Sequence, residues 1–169
     1  MNSLTLYSAK NKLVLLLLTL CCLACKRPQT AVETVSLAPG KVHQGITGKV
    51  LFKEGDFLSS GEIVNGKVYG VERQLFFYEP TNIKDAEATE GDFVKHVFTE
   101  VIDSVNSDKH GNFAKELPEG KYSIFLKESN RLYSKIGDGD YYMPVRVYKD
   151  SSINIIVEID YKASYRSEQ

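Results

Sequence analysis

The chain contains no tryptophan and only three cysteines, and those three fall at positions 21, 22 and 25. Everything after residue 25 is therefore without a disulfide, and its stability has to come from a packed core. There is no excess of charge of either sign, with 21 basic residues against 22 acidic ones. Such a balance lacks the basic footprint of a nucleic-acid-binding domain. A long apolar run is missing too. The stretch from 13 to 24 has 12 residues, whereas a membrane-spanning helix needs ~20. No G-x-S-x-G elbow for a nucleophilic serine is present, and no segment of helical period competes with the short alternating runs that fill the rest of the chain.

What the N-terminus does contain is an export pattern. Lys10 and Lys12 precede the apolar run Leu13 to Leu20, with no acid before it, and the run continues through Cys21, Cys22, Leu23 and Ala24. A positive start, a short apolar middle and a small residue at the end describe a cleaved secretory signal. Leu23-Ala24-Cys25 resembles the lipobox of bacterial lipoproteins, although Cys22 stands where leucine is usual. That resemblance implies acylation of Cys25 and a new N-terminus there. Cys21 and Cys22 are poorer acceptors, each preceded by a bulky residue. The alternative is an ordinary cleaved signal that leaves Cys25 as a free thiol. Cleavage after residue 24 leaves 145 of the 169 residues and removes two lysines, so the exported chain carries net −3. A chain of that length suffices for one domain.

Residues 25–44 are polar, with Pro28 and Pro39 and no periodicity, and are read as a flexible tether. From Gly45 the pattern changes to alternation at period two, the signature of half-buried strands. The expected strands are Ile46–Phe52, Val71–Tyr78, Val97–Val105, Asn112–Glu116, Tyr122–Lys127, Tyr142–Tyr148 and a final one carrying Ile153, Ile155, Val157 and Ile159 on one face. A glycine-punctuated loop covers 55–70, with room for a small hairpin, and an acidic irregular segment covers 80–92. Asp108-Lys109-His110-Gly111 and Leu117-Pro118-Glu119-Gly120 have the residue preferences of type I turns. Together these predict an all-β fold, a seven-stranded antiparallel β-sandwich over 45–163, followed by a short tail at 164–169.

Several of these residues carry a family likeness. Gly45-Ile46-Thr47-Gly48-Lys49-Val50 resembles the G-x-x-G-x-V opening of carboxypeptidase regulatory-like domains. Asp108-x-x-Gly111-x-Phe113 followed by Leu117-x-x-Gly120-x-Tyr122-x-Ile124 is similar to the D-x-x-G-x-F…L-x-x-G-x-Y core of the same domains. The resemblance runs from about Gly45 to Ala163. It implies a transthyretin-like (Ig-like) sandwich, roles in assembly or ligand presentation, and no chemistry of its own.

Candidate chemistry in the body of the chain is sparse. His43, His96 and His110 lie in the tether, before a strand and inside a turn, none with metal-ligand neighbours at the required spacing. Asn106-x-Asp108-x-His110-Gly111 begins like a calcium loop but has His at its fifth position and Leu117 at its twelfth, which calcium coordination does not allow. Gly137-Asp138-Gly139-Asp140 offers two carboxylates, far short of the six to eight oxygens calcium takes. Tyr133, Tyr141 and Tyr142 flank the 135–140 loop and are the candidate ligand-binding residues; otherwise they cover an end of the core. No catalytic residue, metal site or cofactor is expected. The reading is a non-catalytic, lipid-anchored binding or interaction module of the bacterial cell envelope, on the periplasmic face of the outer membrane, serving an envelope protein or a glycan. The alternative is a carbohydrate-binding domain with a starch-binding-like sandwich, which the lack of tryptophan disfavours.

Overall fold

The structure, a computed structural model, describes residues 42–167; the expected signal, Cys25 and the tether up to residue 41 lie outside the described residues. The chain is all-β, and its strands form two facing sheets. Strand β1 (Gly45–Leu58) leads into β2 (Ile63–Gly70), then β3 (Gln74–Tyr78), β4 (Ala86–Ala88), β5 (Phe93–Val97) and β6 (Val101–Asn106). β7 (Asn112–Glu116), β8 (Gly120–Glu128), β9 (Arg131–Tyr133), β10 (Pro144–Val147) and β11 (Ser152–Arg166) complete the order. The all-β sandwich is as the sequence predicts. The described strands number eleven rather than seven, because short or irregular stretches also pair.

β1 is the spine of the first sheet. β11 runs parallel to it along one edge, while β7 and β2 share its other edge, β7 opposite 45–49 and β2 opposite 51–57. The parallel pairing departs from the antiparallel expectation; parallel neighbours need a long connection, and here the rest of the domain, β2 to β10, supplies it. In the second sheet β8 is central. β3 lies on one side of it, and β9 and β10 divide the other side between its two halves.

The alternation in sequence explains which faces meet. Ile46, Val50 and Phe52 of β1 and Val157 and Ile159 of β11 pack against Leu75, Phe77, Tyr122, Ile124, Leu126 and Val147 of the other sheet. Gly48 is required by the same packing, since a Cβ there would meet the Phe113 ring at 2.9 Å and the Ile155 carbonyl at 2.2 Å. Tyr122 donates its hydroxyl to the Pro118 carbonyl at 2.8 Å, tying β8 to the turn before it, in the manner of the tyrosine corner of sandwich folds.

Three local expectations are refined or corrected. The 55–70 segment takes the hairpin for which the sequence left room, the end of β1 pairing with β2, and the loop shrinks to the turn at 59–62. The single strand expected over 97–105 is two, β5 and β6, broken at 98–100. At the domain's ends, Gln44 of the expected tether bonds Leu117 and Asp150, and β11 reaches Arg166, so part of the expected tail belongs to the last strand. Ile156, on the polar parity of the last strand, is 65% exposed.

Candidate functional site

The outer face of the second sheet is half covered and half bare. Phe125, facing outward from β8, is wholly buried beneath Tyr142, whose ring centroid lies 5.2 Å away, and Tyr78, at 5.1 Å. Val94, Val97, Ala86 and Leu132 complete this second, smaller core. It exists because the segments around 80–100 and 134–143 fold over the sheet. An outward aromatic in the middle of an alternating strand is its signal in the sequence.

The 134–143 cover is a hydrogen-bonded piece of unusual backbone. Gly139, Asp140 and Met143 have φ of 65°, 62° and 32°. Left-handed conformations at non-glycine residues cost of order 1–3 kcal/mol and persist only where the surroundings enforce them. The surroundings here are hydrogen bonds. The Gly137 amide donates to the Tyr141 carbonyl at 2.7 Å, Met143 to Lys135 at 2.8 Å and Tyr142 to Thr81 at 3.0 Å. Thr81 is itself buried and fixed, its amide donating to the Ser123 hydroxyl at 2.9 Å. The Asn82 side chain reaches the Gly139 carbonyl.

Where the cover stops, a groove of about 600 Å³ opens, bordered by Pro80, Asp138, Tyr141 and Pro144 with Lys121 and Arg146 alongside. Lys121 and Arg146 stand directly opposite each other on β8 and β10, so their Cα atoms are roughly 4.5–5.5 Å apart. Like charges in that position are destabilising. No carboxylate lies within salt-bridge distance of either among the described residues. The Arg146 guanidinium sits 5.1 Å from the ring centroid of the exposed Tyr148. Two unneutralised cations beside an exposed tyrosine and two prolines suit a carboxylate flanked by flat apolar surface.

The structure separates the three tyrosines singled out from sequence. Tyr141 is 37% exposed and lines the groove. Tyr142 is buried in the second core, and Tyr133 is buried in the main one. Their parity decides this, Tyr142 turning under the cover and Tyr141 out of it. Tyr133 has a different importance. Its hydroxyl donates to Asp160 at 2.9 Å, and Asp160 also accepts from Lys135 at 2.6 Å and from Tyr165 at 3.0 Å. Burial, reinforced by the bond to Asp160, pushes the Tyr133 phenol well above its ordinary value, and Tyr165 is pushed up to about 12 for the same two reasons. Burial alone would raise the Asp160 carboxyl, but the bonds from Lys135, Tyr133 and Tyr165 outweigh it and hold the group below the usual carboxylate range.

The histidines are exposed and stand apart, His43 before β1, His96 within β5 and His110 in the turn before β7. Among the described residues no three potential metal ligands cluster, the Asp138–Asp140 loop included. The buried serine hydroxyls serve the backbone: Ser107 donates to Val71, Ser134 to Ile124, and Ser123 accepts from Thr81. Lys121, Arg146 and Pro80 were not singled out by sequence reasoning, since only strand pairing brings them together. No family model, curated protein or solved structure matches the chain.

Proposed function

We propose that the chain is a lipid-anchored, non-catalytic binding module of the bacterial envelope, held by Cys25 on the periplasmic face of the outer membrane, and that its contact surface is the groove beside Tyr141. The observation that carries the contact surface is the bare Lys121–Arg146 pair next to a backbone locked in left-handed conformations. The like-charged pair costs stability and belongs to neither core, and a binding role accounts for it, while the left-handed backbone beside it serves the second core through Tyr142 and fixes the groove's edge. The export pattern and the Ala24-Cys25 junction support the location. The absence of catalysis is supported by serine hydroxyls committed to backbone bonds and histidines that stand apart. The partner is an envelope protein that presents a carboxylate beside apolar surface.

The test is affinity capture from envelope extract with the full chain and with a Lys121→Gln/Arg146→Gln variant. A partner lost from the double variant, yet retained by a Lys109→Gln control in the distant turn, supports the reading. Identical capture by all three proteins refutes the groove as the contact. The carbohydrate reading rests on one specific feature, the exposed ring of Tyr141 at a groove edge. A glycan array separates the two readings: binding there that disappears in Tyr141→Ala selects the sugar.

A further inference from the structure

Among the described residues the last strand leaves one edge unpaired. β11 is the terminal strand of its sheet among the described residues, paired on one side only. The Gly45 amide donates to the Ser151 carbonyl, so odd-numbered residues at this end of β11 face β1, and the N–H and C=O groups of Ser152, Asn154, Ile156 and Glu158 point away from it. Beyond the irregularity near Asp160 the edge is closed, because the Tyr133 hydroxyl meets the Asp160 amide at 3.4 Å and Lys135 pairs with its carboxylate.

Proteins blunt open edges with lysine, proline, bulges or a covering segment. β10 follows that rule, beginning with Pro144 and carrying Arg146. Ser152 to Ile159 contains no lysine, arginine or proline, and its sequence, Ser-Ile-Asn-Ile-Ile-Val-Glu-Ile, joins high β-propensity to a single charge. Such a segment is an aggregation hazard when left unpaired. Its centre is Ile156, and a groove of about 510 Å³ runs beside Ile156 and Glu158, walled opposite by Ile136, Met143 and Pro144.

We propose that this edge pairs with the same edge of a second copy, antiparallel about a twofold axis at Ile156, to give a dimer with one sheet continuous across both chains. A twofold contact presents one patch to itself, so the patch must be self-complementary. Centred on Ile156, isoleucine meets isoleucine, Asn154 meets Glu158 of the second copy, and Ile155 meets Val157, with no like charges opposed. Centring on Glu158 sets carboxylate against carboxylate. Centring on Ile155 sets Asp150 against Asp160, and centring on Asn154 sets Asp150 against Glu158. Centring on Val157 or Ile153 opposes no like charges but carries Asn154 onto Asp160, where the edge is closed, or Ile156 onto Asp150, outside the strand, so Ile156 is the centre that keeps Asn154, Ile156 and Glu158 paired among themselves on the open edge. This edge belongs to the first sheet, and its groove shares Pro144 with the groove beside Tyr141.

Light scattering on the full chain in detergent is expected to give a protein mass of two chains, and Ile156→Lys a mass of one with an unchanged circular dichroism spectrum. In membranes, a short thiol-bridging reagent is expected to link Ile156→Cys to itself and Asn154→Cys to co-produced Glu158→Cys, but not Asn154→Cys to itself. The Tyr148→Cys control stays single. Three results overturn the proposal: a single-chain mass for the unaltered protein, a two-chain mass that survives Ile156→Lys, or Asn154→Cys linking to itself in preference to Glu158→Cys. A single-chain mass with the Ile156 amide protected from hydrogen exchange would assign the edge to the chain's own preceding segment instead.

Discussion

At the scale of residues, the two turn glycines have different reasons for being glycine. Gly111 has φ of 85°, and a Cβ on it would lie 2.2 Å from the Val50 carbonyl. Gly120 lies outside the left-handed region, and its nearest neighbour to an added Cβ is the Tyr122 hydroxyl at 3.2 Å, the far end of a side chain. Gly111→Val should therefore cost at least ~1–3 kcal/mol, the range for enforced backbone strain. Gly120→Ala should cost less, through disturbance of the Tyr122–Pro118 bond. Urea melts of the two variants check the order, and the reverse order would mean that the Tyr122 bond outweighs the strain. The last strand offers a second contrast. Ile159 is fully buried, so Ile159→Ala should cost ~2–5 kcal/mol by loss of packing and creation of a cavity. Asn154 is exposed, and Asn154→Ala should stay within about ±0.5 kcal/mol. Comparable losses in both would show that the strand is buried on both faces.

At the scale of elements, Asp160 joins the two sheets where β11 becomes irregular. It takes hydrogen bonds from Tyr133 on β9, from Lys135 just beyond it and from Tyr165 on its own strand. Its carboxyl is held below the ordinary range in the folded protein. Such a group stabilises the fold fully above its unfolded pKa, ~3.9, and that contribution is lost as pH falls through the lower folded value. Stability measured by urea between pH 6 and 2 should fall on the acid side, and Asp160→Asn should be weaker at pH 6 with a shallower acid decline. Equal slopes in the two proteins would assign the acid loss to other carboxylates. Tyr133 shows the opposite sign. Its phenol is raised by burial, so its contribution is complete below the unfolded value of ~10 and declines as pH rises above it. Tyr133→Phe should flatten the alkaline limb; an unchanged limb would point to Tyr165 or to the lysines.

At the scale of the whole molecule, the domain and its attachment obey separate rules. The domain's two sheets are closed by their own core, without a disulfide among the described residues. In the proposed lipoprotein, attachment would rest on the Cys25 thiol alone. Cys25→Ser should move the protein from the membrane fraction to the soluble fraction and abolish metabolic labelling with a fatty acid. Continued labelling would make Cys21 or Cys22 the acceptor. The same variant should melt like the unaltered chain, because the described domain makes its core from residues after Val42.

Sequence alone determined the fold class and the core parity of the best strands. Alternation in Leu75/Phe77, Tyr122/Ile124/Leu126 and Val157/Ile159 names the residues that are buried, because the side-chain period of a strand is two whatever it pairs with. The Asp108–Gly111 turn was legible for an equally local reason, its Asp and Gly meeting the demands of four consecutive residues, and the Gly111 amide does bond the Asp108 carbonyl at 2.8 Å. Pairing between distant segments was not legible. That β11 lies parallel to β1, that Lys121 faces Arg146, and that Tyr142 is buried while Tyr141 is exposed follow from where each strand lands in a sheet. Those placements are fixed by the sum of long-range contacts, which no window of neighbouring residues contains.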